Sequence, residues 1–570
     1  MRFADYYERH FCKIQILIGL FFGFFFGIAL QDGLYNSQIV AGLIGYNPED
    51  TMYIWGNTNW SLIAQIPALL LKLGLNDIYC NLIVSLLISI LSFLSLGIIF
   101  KTITNSSKIS FLLSLFSFYS IHYLFGSGYE VSMISWKFFN STLGMTGFHF
   151  CVLVLAFFWN RSYSIGFFLL GTSLSVHIFQ SFYIHLFIGL LLIYQKELLT
   201  KKNLSRYLLG LSISIISFVF FYLKVGNTIS NNLSVPHEEM KQFISLWDDH
   251  RLIPIRFYSP AFISNFLFFP IIYFLNKKLS IIKELRIWSL FCFLSAILLF
   301  VLANSPLSSL STVFMMSMPE KMLGFGLYLN LMIIISILLK DSSSQFFFSA
   351  LSISLIILFT FIIRINNPGI NLNYFPLAAF SLILFCLVID NIMNKETFNL
   401  IIIKLLLLLF VFFPTKDVIF SFSNPHSFTK IKRTYSSDFA KFLSSTDKYI
   451  IVAPSYIGSY IQMISHKKIL FDPGELSDIP YSPASYKFSN KIMKDIYQVD
   501  LLKPSAIYMK HHKRGLVSNR YIQSIWESRT FKDWENLKAI YHFNFIVVPK
   551  NWKLRIKNYR IFSEGAVYYF

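Results

Sequence analysis

Long apolar runs alternate with short polar segments along most of this chain. The first run begins near Phe11 and reads IQILIGLFFGFFFGIAL, and similar runs recur as far as about Phe413. Each run is roughly 15 to 23 residues long, which is the length of helix that crosses the hydrocarbon core of a bilayer. The pattern therefore predicts a polytopic α-helical membrane protein with about 13 transmembrane helices. After the first, the predicted spans cover approximately 78–100, 109–125, 146–160, 165–177, 181–194, 207–222, 261–275, 287–303, 321–339, 346–362, 374–391 and 398–414.

The charges between the spans predict which side each loop faces. Most of the short loops on the side of the N-terminus carry an excess of Lys or Arg, as cytoplasmic loops do. These are KTITNSSK, NRSY, QKELLTKKNLSR, NKKLSIIKELR, KDSSS and DNIMNKET. Three larger loops, 31–77, 126–144 and 223–260, then face outward, and so does the tail. This scheme divides 165–194 into two short helices around His177, since one long helix there would invert everything before it.

The chain divides into a transmembrane domain, residues 1–414, and a tail, residues 415–570. The tail predicts an extracytoplasmic α/β domain. KYIIVAP and KKILFDP are typical of short strands that end at a proline. FKDWENLKAIYHF predicts a helix that leads into the strand NFIVVP, and YRIFSEGAVYYF predicts a terminal hairpin with a Glu-Gly turn. In the first outer loop, WSLIAQIPALLLKLG is amphipathic and is expected to lie along the membrane interface.

Composition supports a membrane protein and argues against a nucleic-acid partner. Hydrophobic residues make up 55% of the chain and charged residues 14%, whereas a soluble domain carries about 25% charged residues. The net charge is +20. Much of this charge lies in the loops that set topology, and the basic tail suits anionic headgroups or lipid phosphates. The five cysteines lie in or beside predicted spans, so they form no disulfide framework or metal knuckle.

No Walker A loop, GxGxxG motif after a strand, HExxH motif or nucleophile elbow is present, which argues against ATP-driven pumps and common soluble hydrolases. Isolated polar residues on the outer side therefore carry the candidate chemistry. Asp32 follows the first span, where desolvation can raise a carboxyl pKa and make it a general base; the alternative is that it marks the end of the span. Glu49 and Asp50 form a second acidic pair, or a solvated turn after Pro48.

Two further candidates belong to the second outer loop and to the break between the fifth and sixth predicted spans. Glu130, in GSGYEVSMISWK, lies near Trp136, and an aromatic beside a carboxylate suits either a sugar or an interfacial aromatic belt. His177 and Gln180, in VHIFQ, share a helical face at membrane depth, where polar side chains face a cavity or a partner helix. His185 follows eight residues after His177, and this spacing alone makes no metal site.

The densest polar cluster is WDDHRLIPIRF in the third outer loop. Its paired acids suit a divalent cation, and His250, Arg251 and Arg256 suit a phosphate, which arginine can bind through two parallel hydrogen bonds. A solvated loop of mixed charge is the alternative. Lys321 and Arg364 lie near outer helix ends, where cations often contact lipid headgroups.

An inside N-terminus, a long first outer loop that opens with an acid, many spans and an outer α/β tail resemble the GT-C superfamily of membrane glycosyltransferases. NTNWSLIAQIPALLLKLG resembles the interfacial segment of the family's first loop. FKDWENLKAIYHFNFIVVPKNWKL and the final GAVYYF resemble the end of many bacterial members' tails. The likeness covers most of the chain but lies in organisation rather than in sharp motifs, and no WWDYG-like motif of oligosaccharyltransferases appears.

The resemblance implies transfer of a sugar from a polyprenyl-phosphate donor to a cell-envelope acceptor at the outer face of a bacterial inner membrane. It implies Asp32 as base, His250, Arg251 and Arg256 beside the donor phosphate, and Glu130 and His177 in the pocket. Family members often carry two acids where this chain has Asp32 and Gly33, so the likeness implies a lone base rather than a metal site. A transporter or flippase, a surface-polysaccharide polymerase or ligase, and a scaffold without activity remain as alternatives.

Overall fold

The computed structural model describes most of the predicted bundle and most of the tail. The described residues are 10–26, 32–58, 61–107, 110, 114, 143–231, 237–248, 255, 257, 259–276, 281–304, 319–340, 436–456, 458–513 and 515–570. The helices before the tail are α1 (Phe11–Phe26), α2 (Asp32–Ala41), α3 (Thr51–Thr58), α4 (Leu62–Lys72), α5 (Asp77–Thr104), α6 (Leu143–Trp159), α7 (Tyr163–Ser173), α8 (Ile178–Tyr194), α9 (Lys201–Asn231), α10 (His237–Trp247), α11 (Pro260–Asn276), α12 (Lys283–Asn304) and α13 (Pro319–Lys340).

Several of these helices have the composition of membrane spans. Among the described residues, α5, the first 23 residues of α9, and α12 are long and apolar enough to cross a bilayer, and shorter apolar helices accompany them. Large apolar side chains of α9, such as Ile216 and Phe220, are more than half exposed. A helix that is apolar on its exposed face is typical of one that meets lipid. The prediction of a polytopic helical membrane protein is thus confirmed in this general form.

The described helices coincide closely with the predicted spans, and the break at His177 is confirmed. The helix α7 ends at Ser173, α8 begins at Ile178, and His177 caps α8: its ring accepts a hydrogen bond from the backbone N–H of Gln180. An imidazole that accepts from the first turn satisfies one of the helix's unpaired donors. The spans predicted at 346–362, 374–391 and 398–414, and most of 109–125, lie outside the described residues, so the total of 13 remains a prediction.

Small residues allow α7 and α9 to pack closely. A Cβ atom built on Gly210 would lie 2.0 Å from the backbone oxygen of Phe168, and one on Gly171 would lie 2.4 Å from that of Tyr207. The hydroxyl of Ser214 then donates to the carbonyl oxygen of Gly171 at 2.8 Å. Glycine and serine at such an interface are typical of helix pairs in membranes, where close approach replaces the hydrophobic effect as the source of association.

The tail forms one small mixed sheet with helices around it. The strands are β1 (Tyr449–Val452), β2 (Phe543–Val548), β3 (Tyr559–Ile561) and β4 (Ala566–Tyr569), in the order β1-β2-β4-β3. The first two strands are parallel, and the other two pairs are antiparallel. The helices are α14 (Asp438–Leu443), α15 (Gly458–Ser465), α16 (Tyr486–Tyr497), α17 (Ala506–Met509), α18 (Asn519–Ser528) and α19 (Phe531–Tyr541).

Most predicted elements of the tail are confirmed, but the strand predicted at KKILFDP is wrong. Only Ile469 there pairs with the sheet, through an isolated parallel bridge to Ile450. The chain turns away three residues later, because the carboxylate of Asp472 accepts hydrogen bonds from the backbone N–H groups of Ser459 and Gly474. The boundary at 414 and 415 lies outside the described residues.

Three clusters of buried side chains hold these elements together. One lies within the helix bundle, from Leu96 to Ile337. A second, small cluster packs α14 and α15 against the sheet. The third combines side chains from the first outer loop, from α10 and from the tail, and its members include Trp55, Trp247 and Trp526. The first outer loop, α10 and the tail therefore bury apolar surface against one another.

Candidate functional site

The helix α2 begins at Asp32, the candidate base, and carries Asn36 one turn later. Residues four apart lie on the same face of a helix. Asn36 is buried, and its side-chain oxygen has no hydrogen-bond partner among the residues that the structure describes. A buried amide oxygen usually has a hydrogen-bond partner, which a ligand, a water molecule or an ion can supply. The face of α2 that holds Asp32 and Asn36 is therefore the starting point of the candidate site.

Other side chains of α2 fix the helix against the tail. The amide nitrogen of Gln38 donates to the carbonyl oxygen of Met463 at 3.1 Å. In return, the amide nitrogen of Gln462 donates to the carbonyl oxygen of Tyr35 at 3.1 Å, and the Tyr35 hydroxyl donates to Asp478 at 3.2 Å. These residues are separated by more than 400 positions in the chain, so the contacts set the position of α2 on the tail.

The turn after α2 is anchored in the same way by Tyr46. Its hydroxyl accepts a hydrogen bond from the backbone N–H of Ile469 at 2.7 Å and lies 3.0 Å from the side-chain oxygen of Gln462. Burial raises the pKa of Tyr46 well above its ordinary value. The phenol therefore stays protonated and acts as a structural donor rather than as a base.

The acidic pair Glu49 and Asp50 lies in the turn after Pro48. Glu49 is exposed. Asp50 accepts hydrogen bonds from the backbone N–H of Asn47 and from the hydroxyl of Tyr449, both at 2.7 Å. Burial raises the pKa of Asp50, while the hydrogen bond from Tyr449 opposes that rise. Asp50 closes a turn and ties it to β1, which accounts for its position without any catalytic role.

The amphipathic helix α4 connects α2 to the helix bundle. The hydroxyl of Ser37 donates to the carbonyl oxygen of Ala64 at 2.8 Å. At the start of α4, the hydroxyl of Ser61 donates to the carbonyl oxygen of Val176 at 2.6 Å, next to His177. The helix of Asp32 and the turn that holds His177 therefore pack against the same element.

His177 itself lies where three helices meet. A Cβ atom on Gly147 of α6 would lie 2.4 Å from the Cβ of His177, so the two backbones approach closely. The amide nitrogen of Gln180 donates to the carbonyl oxygen of Gly144 at 2.9 Å. Further along α8, His185 lies 3.3 Å from the hydroxyl of Tyr207. These bonds account for Gln180 and His185 as links between helices, which was one of the two roles expected for the polar residues of VHIFQSFYIH.

The helix α10 brings the third outer loop to the tail. The indole N–H of Trp247 donates to the carbonyl oxygen of Leu501 at 2.6 Å, and the ring of His512 lies 2.9 Å from the carbonyl oxygen of Leu246. Asp248, which follows, is fully buried. The cluster WDDHRLIPIRF therefore begins at a fixed point on the tail, and Asp248 is not part of a solvated loop.

The structure describes only some of the predicted site residues. His177 is placed, and Asp32 begins α2. Glu130, His250, Arg251 and Arg256 lie outside the described residues, so their roles stay predictions. Within the described part of the chain, no three His, Cys, Asp or Glu side chains form a group that could hold a metal ion.

The comparisons with known proteins do not assign this chain to a family. No family model matches, and no curated protein matches. Among solved structures, one match is the crystal structure of ArnT from Cupriavidus metallidurans in the apo state, with a TM-score of 0.42 and 12% sequence identity. That match covers 99% of this chain and 98% of the other.

Proposed function

We propose that this protein is a GT-C-type glycosyltransferase of a bacterial inner membrane. In this proposal it transfers a sugar from a polyprenyl-phosphate donor to a cell-envelope acceptor at the outer face. One observation carries the proposal: α2, which begins at Asp32, shares a buried core with α10 and with the tail. Elements from three distant parts of the chain thus enclose one region, next to the predicted ends of several spans.

The proposed chemistry needs a base and a positively charged surface. Asp32 removes the proton from the acceptor hydroxyl, whose oxygen then attacks the anomeric carbon. The bond from that carbon to the phosphate oxygen breaks, and the polyprenyl phosphate leaves with the electron pair. His250, Arg251 and Arg256 are assigned to this phosphate because fixed cations stabilise the charge that develops on a leaving group.

Asn36 and His177 complete the proposed pocket from the described residues. Glu130 is assigned to the same pocket from the sequence alone. The unpartnered side-chain oxygen of Asn36 can accept a hydrogen bond from a sugar hydroxyl. His177 follows Val176, whose carbonyl oxygen accepts a hydrogen bond from Ser61 at the start of α4. A sugar has an apolar ring face and many hydroxyls, so a pocket with a few convergent polar groups suits it.

A polyprenyl donor also needs a route from the lipid, and α4 offers one. Its side chains Ile66 and Leu69 are exposed, while Ala64 and Ala68 are buried. The amide nitrogen of Gln65 donates to the carbonyl oxygen of Ser217 on α9, a helix with an exposed apolar face. The helix α4, which packs against α2, therefore borders apolar surface, as a site for a lipid-linked substrate requires.

The experiment is a transfer assay with purified protein in lipid nanodiscs and radiolabelled polyprenyl-phosphate sugars. We expect transfer by the wild type and a loss of roughly 100-fold or more for Asp32→Asn, because a positioned general base contributes about 10²- to 10⁴-fold. The matched control is Glu49→Gln, which changes an exposed acid of the same loop and should leave the rate unchanged. Equal rates for the wild type and Asp32→Asn would exclude the assigned base. Movement of the intact donor between leaflets, without transfer, would favour a flippase instead.

A further inference from the structure

One segment of the tail is strongly basic. Residues 501–526, LLKPSAIYMKHHKRGLVSNRYIQSIW, contain five Lys or Arg and no Asp or Glu. Within the same segment, apolar residues alternate with the basic ones. A stretch of this kind is typical of a surface that meets an anionic partner.

Apolar and basic side chains of this segment are both exposed in the structure. Ile507, Met509 and Leu516 are 67%, 42% and 60% exposed, although each is large and apolar. Lys503, Lys510 and Lys513 are exposed around them. We name these six residues the basic-apolar patch. Single exposed apolar residues are ordinary, but three of them within ten positions and among lysines mark an interaction surface.

A buried tyrosine and a tight turn fix the backbone that carries the patch. Tyr508, between Ile507 and Met509, is buried, and its hydroxyl accepts a hydrogen bond from the backbone N–H of Ser518 at 3.3 Å. This bond fastens α17 to the chain that follows Leu516. Gly515 has a φ of +79°, and the backbone N–H of Leu516 donates to the carbonyl oxygen of Lys513. The turn is thus set by backbone geometry that favours glycine, and Leu516 gains no burial from it.

The patch is linked through α10 to the end of α12. Its neighbours Leu501 and His512 contact the last two residues of α10, Leu246 and Trp247. Eight positions after Trp247, Ile255 is buried in the bundle core. Its carbonyl oxygen accepts a hydrogen bond from the side chain of Asn304, the last residue of α12. Eight residues span at most about 28 Å, so Trp247, which contacts the tail beside the patch, lies within that distance of Ile255.

We propose that the basic-apolar patch binds the anionic headgroups of the membrane that holds the bundle. The lysines neutralise lipid phosphates, while Ile507, Met509 and Leu516 enter the interface between headgroups and acyl chains. Basic residues attract an anionic bilayer surface over about one Debye length, and apolar side chains beside them add buried area. The contact would hold the tail against the bilayer whether or not the protein transfers sugars.

The test uses the full-length protein in nanodiscs. The variant Leu516→benzoylphenylalanine is irradiated in neutral phosphatidylcholine and in the same lipid with about 30% phosphatidylglycerol, and lipid adducts are measured by mass spectrometry. We expect severalfold more adduct in the anionic discs, and a severalfold decrease when Lys510→Gln and Lys513→Gln are added. The matched control is Ile561→benzoylphenylalanine, at an equally exposed position on β3.

The result that would overturn the proposal is adduct formation at position 516 that does not exceed that at position 561. Equal adduct in neutral and anionic discs, or adduct that is insensitive to the two lysine substitutions, would overturn it as well. All the substituted side chains are exposed, so the variants are expected to fold. A thermal unfolding curve that matches the wild type verifies this for each of them. No sugar donor is present, so the result is independent of the transfer assay.

Discussion

The carboxylate of Asp77, in the first turn of α5, contacts the imidazole of His466, which directly follows α15 in the tail. Gln38 of α2 completes this junction, because its amide nitrogen donates to the other carboxylate oxygen of Asp77 at 2.9 Å. Asp77 is buried, whereas His466 is partly exposed. A membrane span, the first outer loop and the tail are therefore joined at a single buried carboxylate.

This junction predicts a measurable coupling between Asp77 and His466. We expect Asp77→Ala and His466→Ala each to lower the unfolding temperature of the protein in detergent, since each change leaves a polar partner less well satisfied. The double variant should lose less than the sum of the two, with a coupling free energy of about 0.5–3 kcal/mol in a double-mutant cycle. Strictly additive losses would mean that the contact does not hold the tail to α5.

The close packing of α7 and α9 predicts opposite results for two glycines. Gly210→Ala places a Cβ atom 2.0 Å from a backbone oxygen, whereas the Cβ of Gly189→Ala meets no atom within 4 Å. We expect Gly210→Ala to destabilise the protein strongly, by several kcal/mol, because the helices must separate. Gly189→Ala should be neutral or stabilising by up to about 1 kcal/mol. Thermal unfolding in detergent measures both, and a tolerated Gly210→Ala would contradict the packing described.

Asp472 predicts a pH dependence of stability. Burial raises the pKa of its carboxyl to about 6, and the nearby Asp478 adds to the rise, while the amide donors of Ser459 and Gly474 lower it. The native state therefore binds more protons than the unfolded state between about pH 4 and pH 6, so this group's stabilising contribution is lost as the pH rises through that range. We expect a shallower fall of the unfolding temperature between pH 4.5 and pH 7 for Asp472→Asn. Identical slopes for the variant and the wild type would refute the assignment.

We expect substitution of Asn36 to lower activity with little effect on stability. Its buried side-chain oxygen lacks a partner among the described residues, so Asn36→Ala should change the free energy of unfolding by no more than about 1 kcal/mol. If Asn36 binds the substrate as proposed, the same variant should lower the transfer rate about tenfold or more. The transfer assay and thermal unfolding together measure the two effects. A stable variant with the wild-type rate would remove Asn36 from the site.

The sequence predicted the features that depend on local patterns. The polar residues around His177 interrupt an apolar run, and the helices do break there. The strands that become β1 and β2 were recognisable as β-branched and apolar runs ended by proline. KKILFDP has the same appearance but forms only one bridge, because Asp472 accepts amide hydrogen bonds from Gly474 and from Ser459, 13 residues earlier, and the chain turns there.

The junctions between the first outer loop and the tail could not be predicted. The indole N–H of Trp55 donates to the hydroxyl of Ser485 at 2.9 Å, across 430 positions. Tryptophan and serine carry no local signal for such a pair, and the same holds for Gln38 with Met463. Asn36 was missed for a similar reason, since one asparagine in a short helix shows no pattern until its burial is known.

The most direct test determines on which side of the membrane the first outer loop, the start of α9 and the tail lie. Single cysteines are introduced as Leu43→Cys in the first outer loop, Ile561→Cys in the tail and Lys201→Cys at the start of α9, each at an exposed position. An impermeant maleimide is then applied to spheroplasts before and after lysis, with the unsubstituted chain as background. We expect labelling of positions 43 and 561 in sealed spheroplasts, and of position 201 only after lysis. Labelling of position 561 only after lysis, or on the opposite side from position 43, would contradict it.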